Sequence, residues 1–337
     1  MVNSIVVFYK NSTAAARAKH MTTLKANLAE DSKITFEYNF MKFFGYSGKL
    51  SAKEIDQIRT DEHVVEFVEK TIEMHTNTID KGANLTKNVV LNPPTKVAGK
   101  KACTVQREAT WGLVRTGERD LAINGLFNHD NEGGRGVDAY IVDTGIYTEH
   151  AEFEGRATWG FDAVNSPSPK TDGNGHGTHC AGTVGSQAYG VAKSANLIAV
   201  AVLGATGSGS NAGVIAGVDY VANDHQSKRN RCVANMSLGG GYSLALNRAV
   251  EQAIASGCQF AVAAGNENND ACFSSPASAP DCVTVSSSDQ QDSRSYFSNY
   301  GQWKKNHALG NHTLGCARAR PLAPSFFSAD TCLQTQS

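Results

Sequence analysis

The chain has 337 residues, enough for one large domain or two smaller ones. Its 31 Lys and Arg residues nearly balance its 32 Asp and Glu residues, which argues against a nucleic-acid-binding surface and against an acidic tail. Apolar residues make up 41% of the chain. No run approaches the roughly 18 apolar residues of a membrane span, so the composition indicates a globular protein.

Residues 1–76 are predicted to form a small α+β unit. Strand patterns cover Ser4–Phe8, Ile34–Phe40, Phe43–Leu50 and Val64–Val68, and helical patterns cover 13–29 and the segment from Ser51 to Thr60. Apolar residues at helical spacing predict the buried face of the first helix: Ala18, Met21, Leu24 and Leu28. Ser51 and Glu54 form a capping box at the start of the second helix. The order β-α-β-β-α-β is typical of a ferredoxin-like fold.

Two segments lack a regular period. Residues 77–105 contain two prolines and five lysines, and they are predicted to be an exposed, protease-sensitive linker. Residues 302–337 show neither a helical nor a strand pattern, and we expect them not to continue the fold.

Residues 106–301 alternate strands with helices. Strands are predicted at Val137–Val142, Asn196–Leu203, Val233–Leu238, Gln259–Ala263 and Cys282–Ser286, and helices at Asn211–Asp224 and Ser243–Ser256. This alternation predicts a parallel sheet with helices on both faces. Such sheets bind ligands at the carboxyl ends of their strands.

Three side chains at these strand ends indicate catalysis. Asp143 follows an apolar strand in Val-Asp-Thr-Gly, where a carboxylate can accept from a histidine Nδ1–H. His176 begins a helix among small residues in Asn-Gly-His-Gly-Thr-His, where an imidazole can serve as general base. Asn266 follows a strand in Ala-Ala-Gly-Asn, where its amide can donate to an oxyanion. The plainer alternatives are an Asp143 that caps a turn, a metal held by His176 and His179, and a turn at Asn266.

Taken together, these motifs resemble the subtilisin-like serine proteases, and within them the proteinase K-like group. The matching stretches cover 106–301 almost without gaps: YIVDTGI, DGNGHGTHCAGTVGS, YGVAK, GSGS, VIAGVDYV, NMSLGGG, AVAAGN, SSPAS and YFSNYG. The resemblance implies a three-layer α/β fold with a parallel sheet and hydrolysis of peptide bonds by an Asp/His/Ser mechanism. It implies that Asp143 and His176 belong to the triad and that Asn266 is the oxyanion-hole amide.

The resemblance also implies a peptide-binding cleft and a propeptide. Two backbone strands, Gly207–Ser210 and Ser237–Gly241, would flank an extended substrate that adds a strand between them. The implied substrate-binding residues are Gly207, Ser208, Gly209, Ser237, Leu238, Gly239 and Gly240. Residues 1–76 resemble the inhibitor-type propeptide of the same family, whose end occupies the cleft until cleavage. Alignment with the start of the mature enzymes puts processing near residue 104.

The nucleophile of this mechanism has no counterpart in the printed sequence. The family's serine lies in a Gly-Thr-Ser-Met-Ala-type motif. After Gly301 the serines are Ser325, Ser328 and Ser337, and none has small, glycine-flanked neighbours. We therefore expect an incomplete catalytic domain over 106–301 and a chain that is inactive as written. The missing contacts should leave apolar faces of the sheet uncovered.

The eight cysteines leave several pairings open. The resemblance implies that Cys180 is an unpaired thiol near the site, with a nucleophilic Cys180 as an alternative. It also implies that Cys272 pairs with a cysteine shortly after Asn-Tyr-Gly, and we expect that partner to be lost here. Cys272–Cys282 and Cys103–Cys232 are candidate bridges, and the sequence does not decide between them and others.

The family implies no cofactor for the chemistry and commonly binds structural calcium. The stretch around Pro280 resembles one carbonyl part of a calcium site, but no ligand set is assignable. The resemblance implies a secreted monomer that acts on peptide or protein substrates, with its own propeptide as intramolecular inhibitor, although no signal peptide precedes Lys10. The alternative function is a non-catalytic product that binds peptides or inhibits a sister protease through residues 1–76.

Overall fold

The computed structural model describes residues 2–77, 103–118, 121, 124–166, 170–301 and 313–314. The predicted linker 77–105 and the predicted tail 302–337 therefore lie mostly outside the described residues. None of the described helices combines the length and the apolar composition that a bilayer crossing requires.

The N-terminal unit is a four-stranded antiparallel sheet in the order β2-β3-β1-β4. Its strands are β1 Val2–Tyr9, β2 Lys33–Phe40, β3 Phe43–Ser51 and β4 Val65–Lys70, and its helices are α1 Ala14–Ala26 and α2 Ala52–Thr60. A separate strand, β5 Glu73–Thr76, follows. The β-α-β-β-α-β order predicted from the sequence is confirmed.

Helix α1 packs largely with the predicted face. Leu24 is buried, and Met21 and Leu28 pack against the same cluster, whereas the predicted Ala18 is exposed. The prediction missed His20, which is polar and yet buried: its Nδ1 lies 2.7 Å from Asp61 Oδ2 and its Nε2 lies 3.1 Å from the Tyr46 hydroxyl. An apolar period does not register such a residue. The predicted capping box at the start of α2 is present.

Residues 103–301, together with Thr313–Leu314, form an α/β unit around a seven-stranded sheet in the order β17-β16-β14-β12-β8-β10-β9. The strands of this sheet are β8 Val137–Asp143, β9 Ala157–Asp162, β10 Asn196–Ala201, β12 Arg231–Met236, β14 Gln259–Ala263, β16 Val283–Val285 and β17 Thr313–Leu314. All pairs are parallel except the edge pair of β16 with β17.

Six helices and two small sheets complete this unit. The helices are α3 Trp111–Gly117, α4 His176–Gly185, α5 Asn211–Lys228, α6 Leu244–Ala255 and the 3-10 helices Ala151–Phe153 and Ala271–Phe273. One small sheet pairs β6 Cys103–Gln106 with β7 Phe127–Asp130. The other contains β5, β11 Ser208–Ser210, β13 Leu238–Gly241 and β15 Ser274–Ser275.

The large sheet is covered unequally on its two faces. Residues of α5 and α6 share one apolar cluster with strands β8, β10, β12 and β14, and α4 packs on the other face with β8 and β10. On that second face Val233 is 37% exposed and Val285 is 48% exposed. Parallel sheets are normally buried on both faces, so among the described residues this second face is only partly covered, in the direction of the expected uncovered apolar surface.

Several predicted elements end at other residues. The predicted strand 233–238 is two strands, because the chain crosses at Ser237 from the large sheet to the small one that contains β13. Strand β10 stops at Ala201 because the next two amides, of Val202 and Leu203, both donate to the Asp143 carbonyl. Contrary to expectation, part of the tail continues the sheet, because Thr313–Leu314 pairs with β16.

The N-terminal unit packs against helices α5 and α6 of the α/β unit. Strand β1 alternates, so that Ile5 and Val7 join the cluster with α1 and α2 while Val6 and Phe8 join the cluster with α5 and α6. The Tyr38 hydroxyl donates to the carbonyl of Ala212 in α5 at 3.0 Å. One face of the N-terminal sheet therefore shares an apolar cluster with α5 and α6, while its other face forms a separate cluster with α1 and α2.

The disulfides differ from the candidate bridges. Cys232 pairs with Cys258, so the candidate Cys103–Cys232 is wrong. Cys282 is a free, buried thiol, so Cys272–Cys282 is wrong as well. Cys272 is itself disulfide-bonded. The spacing of cysteines along the chain does not determine which of them pair. Here Cys232 lies in β12, Cys258 immediately precedes β14, and the two strands are neighbours in the sheet.

Candidate active site

Asp143 is the last residue of β8, and its side chain is fully buried. Its Oδ1 accepts from the Thr144 backbone N–H at 2.7 Å and from His176 Nδ1 at 2.7 Å. The Asp143 carbonyl accepts from the Val202 N–H at 2.8 Å. Main-chain bonds on both sides therefore fix this carboxylate at the carboxyl edge of the sheet.

His176 is the first residue of α4, and its side chain is 12% exposed. Because a carboxylate can only accept, Nδ1 donates to Asp143, and in the neutral imidazole Nε2 is then the acceptor nitrogen. Burial acts to lower the pKa of His176, but the hydrogen bonds and charges of Asp143 and Cys180 together outweigh burial, so the pKa lies above its usual range. A carboxylate that orients an imidazole in this way is the arrangement of a general base.

Asp172 holds the glycine-rich turn that precedes His176. It accepts from Thr144 Oγ1 at 2.8 Å, from the Gly175 N–H at 2.9 Å and from both the N–H and the Oγ1 of Thr178, at 2.9 and 2.7 Å. Although burial opposes them, these hydrogen bonds lower the pKa of Asp172. The sequence analysis did not assign Asp172 a role. The signal was present, because an Asp at the start of a glycine-rich turn commonly accepts hydrogen bonds from the backbone of that turn.

Asn266 follows β14, beyond the same edge of the sheet where β8 ends at Asp143. The loop around it is held by Asn299, whose Nδ2 donates to the Ala264 carbonyl at 2.9 Å and whose Oδ1 accepts from the Glu267 N–H at 3.0 Å. The intervening Gly265 has a φ of 105°, and a Cβ there would lie 2.3 Å from Asn299 Nδ2. This loop therefore requires a glycine beside Asn266.

The segment after the N-terminal unit lies in a cleft between two glycine-rich strands. Strand β5 pairs antiparallel with β11 on one side and with β13 on the other. Beyond it, the Thr76 N–H donates to the Gly207 carbonyl at 2.9 Å, and the Asn77 N–H donates to the Ser237 carbonyl at 3.1 Å. Every residue that the resemblance assigned to substrate binding pairs with or bonds to this segment: Gly207, Ser208, Gly209, Ser237, Leu238, Gly239 and Gly240.

Glycine is needed in the cleft because the segment approaches so closely. A Cβ on Gly240 would lie 2.7 Å from the Glu73 carbonyl oxygen and 2.8 Å from Met74 Sδ. A Cβ on Gly207 would lie 2.9 Å from Thr76 Oγ1. The sequence analysis did not predict a strand at 73–76, since Glu-Met-His-Thr holds one apolar residue.

The metal alternative finds little support in the part of the chain that the structure describes. His179 is exposed and does not join His176 in any cluster. The single group of His, Cys, Asp or Glu side chains close enough to share an ion is Asp143, His176 and Cys180. Nitrogen and sulfur do not suit calcium, which prefers oxygen ligands, so no calcium ligands are assigned.

The comparisons with known proteins agree with this geometry. The family model "Subtilase family" matches residues 134–310, more than half of the chain, and "Peptidase inhibitor I9" matches residues 5–76. The chain belongs to the subtilase family. As a subtilase it carries an inhibitor-type propeptide domain, and its family is one of serine proteases that need no cofactor for the chemistry and commonly bind calcium.

Individual relatives of this subtilase are fungal. The chain is 44% identical over 284 residues to "Alkaline protease 2" of Aspergillus fumigatus, covering 80% of this chain and 52% of that protein. It is 48% identical over 233 residues to "Subtilisin-like serine protease Rho m 2.0101" of Rhodotorula mucilaginosa, covering 67% and 68%. A solved "cold adapted subtilisin-like serine proteinase" is 50% identical, with a TM-score of 0.54 over 58% of this chain and 70% of that one. The chain spans about half the length of several relatives that it matches.

Proposed function

We propose that this chain represents a subtilisin-like serine endopeptidase made as a zymogen. The hydrogen bond of 2.7 Å between Asp143 and His176 is the observation that carries the proposal. In the mechanism, Asp143 holds the imidazole tautomer, and His176 takes a proton from a serine hydroxyl and returns it to the leaving amine. Asn266 donates its amide to the oxyanion of the tetrahedral intermediate.

Peptide and protein substrates bind by adding a strand between β11 and β13. The pairing of β5 in that place supports this, because β5 is an extended peptide with main-chain bonds to both sides. Residues 1–76 act as the intramolecular inhibitor, and the linker 77–105 contains the processing region. The mature protein is secreted and monomeric, which culture-medium analysis and sedimentation would test.

The 337-residue chain as printed does not cleave peptides, because none of the serines after Gly301 has the expected context. In subtilisin, a relative, loss of the nucleophile lowers turnover roughly 10⁶-fold. A serine-directed fluorophosphonate probe tests this point. We expect no labelling of the purified chain, with an active subtilase as positive control. Labelling at Ser325 or Ser328 would show that the tail supplies a nucleophile.

A second candidate function is inhibition of a sister protease by the N-terminal unit. The observation in its favour is that this unit has a core of its own, in which Leu24, Ile55 and Ile58 pack on β1 and β3. Residues 1–77 would be titrated against an active subtilase. Absence of inhibition at micromolar concentration would eliminate this function.

A further inference from the structure

The sequence contains four Asn-x-Ser/Thr motifs, which begin at Asn11, Asn84, Asn235 and Asn311. An asparagine in this motif accepts an N-linked glycan when the chain passes through the secretory pathway and the asparagine lies on the surface. Asn84 and Asn311 lie outside the described residues. The structure distinguishes between the other two motifs.

Asn11 lies in an exposed turn between β1 and α1. The Ser12 N–H donates to the Lys10 carbonyl at 2.7 Å, which closes a three-residue turn with Asn11 at its tip. Thr13, whose hydroxyl completes the motif, is the N-cap of α1 and accepts from the Ala16 N–H at 3.2 Å. The backbone of this motif is therefore well held on both sides while Asn11 itself is open to solvent.

Asn235 has the opposite environment. It lies in β12, which is paired on one side with β8 and on the other with β14. Its side chain is half-buried, and its Nδ2 donates to Ser237 Oγ at 2.9 Å. A glycan on this nitrogen would place a large polar group beside Ser237, where the chain crosses from the large sheet to the cleft strand β13. A folded chain therefore has no room for a glycan at Asn235.

The position of Asn11 also keeps a glycan away from the cleft. Strand β4 pairs with β1 so that Val65 lies beside Tyr9 and Lys70 lies beside Ile5. Asn11 follows the Tyr9 end of this pair, whereas β5 follows the Lys70 end and leads into the cleft. A strand of this length spans roughly 17–20 Å. A glycan on Asn11 therefore leaves the pairing of β5 with β11 and β13 undisturbed.

We propose that Asn11 carries an N-linked glycan and that Asn235 does not. The donor is a lipid-diphosphate-linked oligosaccharide. The transfer forms a bond from Asn11 Nδ2 to the anomeric carbon of the oligosaccharide, breaks the bond from that carbon to the lipid diphosphate, and releases one proton from Nδ2. This glycan belongs to the N-terminal unit and is removed with it at processing. The inference rests on the proposed function, because only a chain that passes through the secretory pathway meets this donor.

The test is expression of the full chain in a yeast host behind a cleavable secretion leader. Both the cells and the medium are analysed, and removal of the leader shows that a molecule has been imported. We expect peptide mapping after endoglycosidase treatment to find a modified Asn11 and an unmodified Asn235. Asn11→Gln should migrate faster than the wild type by the mass of one glycan, and this difference should vanish after endoglycosidase treatment.

Matched variants make the result specific. Thr13→Ser keeps both the motif and the helix cap, so it should retain the glycan, whereas Thr13→Ala keeps the asparagine but should lose the glycan. Asn235→Gln should migrate like the wild type. An unmodified Asn11 in leader-processed chains, or a glycan at Asn235 in protease-resistant chains, would overturn the inference. A chain that is glycosylated at Asn11 but stays in the cells would support the inference and refute secretion in the proposed function.

Discussion

Glu69 in β4 joins the N-terminal unit to the start of two helices. Its carboxylate accepts from Ser243 Oγ, from the Ala245 N–H at 3.2 Å and from Asn211 Nδ2 at 3.3 Å. Ser243 is the N-cap of α6, and Asn211 is the first residue of α5. A negative charge is favoured at such helix ends.

Removal of this carboxylate should destabilise the packing of the two units measurably. Hydrogen bonds to a charged group contribute about 1.5–3 kcal/mol, and a charge at a helix end adds about 0.3–1 kcal/mol. Glu69 is partly exposed, which reduces these contributions. Asn211 and Ser243 are fully buried, so they would lose a partner that water does not replace. We expect Glu69→Ala to lower the free energy of unfolding by about 1–3 kcal/mol.

The assay is urea unfolding followed by circular dichroism, with a double-mutant cycle that combines Glu69→Ala and Ser243→Ala. We expect a coupling energy of about 1–2 kcal/mol between these two residues. The matched control is Glu66→Ala, which removes an ion pair with Arg248 whose two side chains are 35% and 34% exposed and which should contribute at most about 1 kcal/mol. Equal losses for Glu69 and Glu66, or a coupling energy of zero, would refute the reasoning.

Three further predictions follow from the site and its supports. Asp143→Asn should bring the pKa of His176 back toward its ordinary value, as measured by NMR titration of the imidazole, and an unchanged pKa would contradict the assigned pairing. Because the folded-state pKa of His176 is raised, the Asp143–His176 pair stabilises the fold fully below about pH 6.5 and progressively less as the pH rises through the folded-state pKa. The variant should lose this pH dependence of the free energy of unfolding. Gly240→Val should push β5 out of the cleft at a cost of about 1–3 kcal/mol, seen as a lower melting temperature, whereas an unchanged temperature would mean that the cleft does not hold the segment. Burial lowers the pKa of Lys193 from 10.5 to about 8. Between these two pH values the unfolded chain binds more protons than the folded chain, so the free energy of unfolding should rise with pH. In Lys193→Met this rise should be smaller, which thermal unfolding measured from pH 8 to 10.5 would show.

Local patterns predicted much of the fold because they are written in consecutive residues. Gln259–Ala263 forms β14 with the predicted bounds, and the capping box of Ser51 and Glu54 starts α2. Strand β5 lacked such a pattern, since Glu73–Thr76 is mostly polar and its conformation comes from pairing with β11 and β13. Strand β13 is a similar case, because three of its four residues are glycines, which have low intrinsic strand preference. Strands that are stabilised by a neighbour's backbone cannot be predicted from their own side chains.

The candidate site shows a similar division between residues that act and residues that position them. Asp143 and His176 stand out in the sequence because each occupies a strand end or a helix start within a distinctive motif. Asn299 does not, because it acts through hydrogen bonds to residues 30 to 35 positions away in the chain. Asp172 adds to its local bonds with Gly175 and Thr178 a bond to Thr144, which lies 28 positions away. Their common property is a buried or half-buried polar side chain with three or more hydrogen-bond partners, and only the folded chain brings those partners together. The positioning residues of such a site therefore have to be found from hydrogen bonds, even where the reacting residues can be found from the motif.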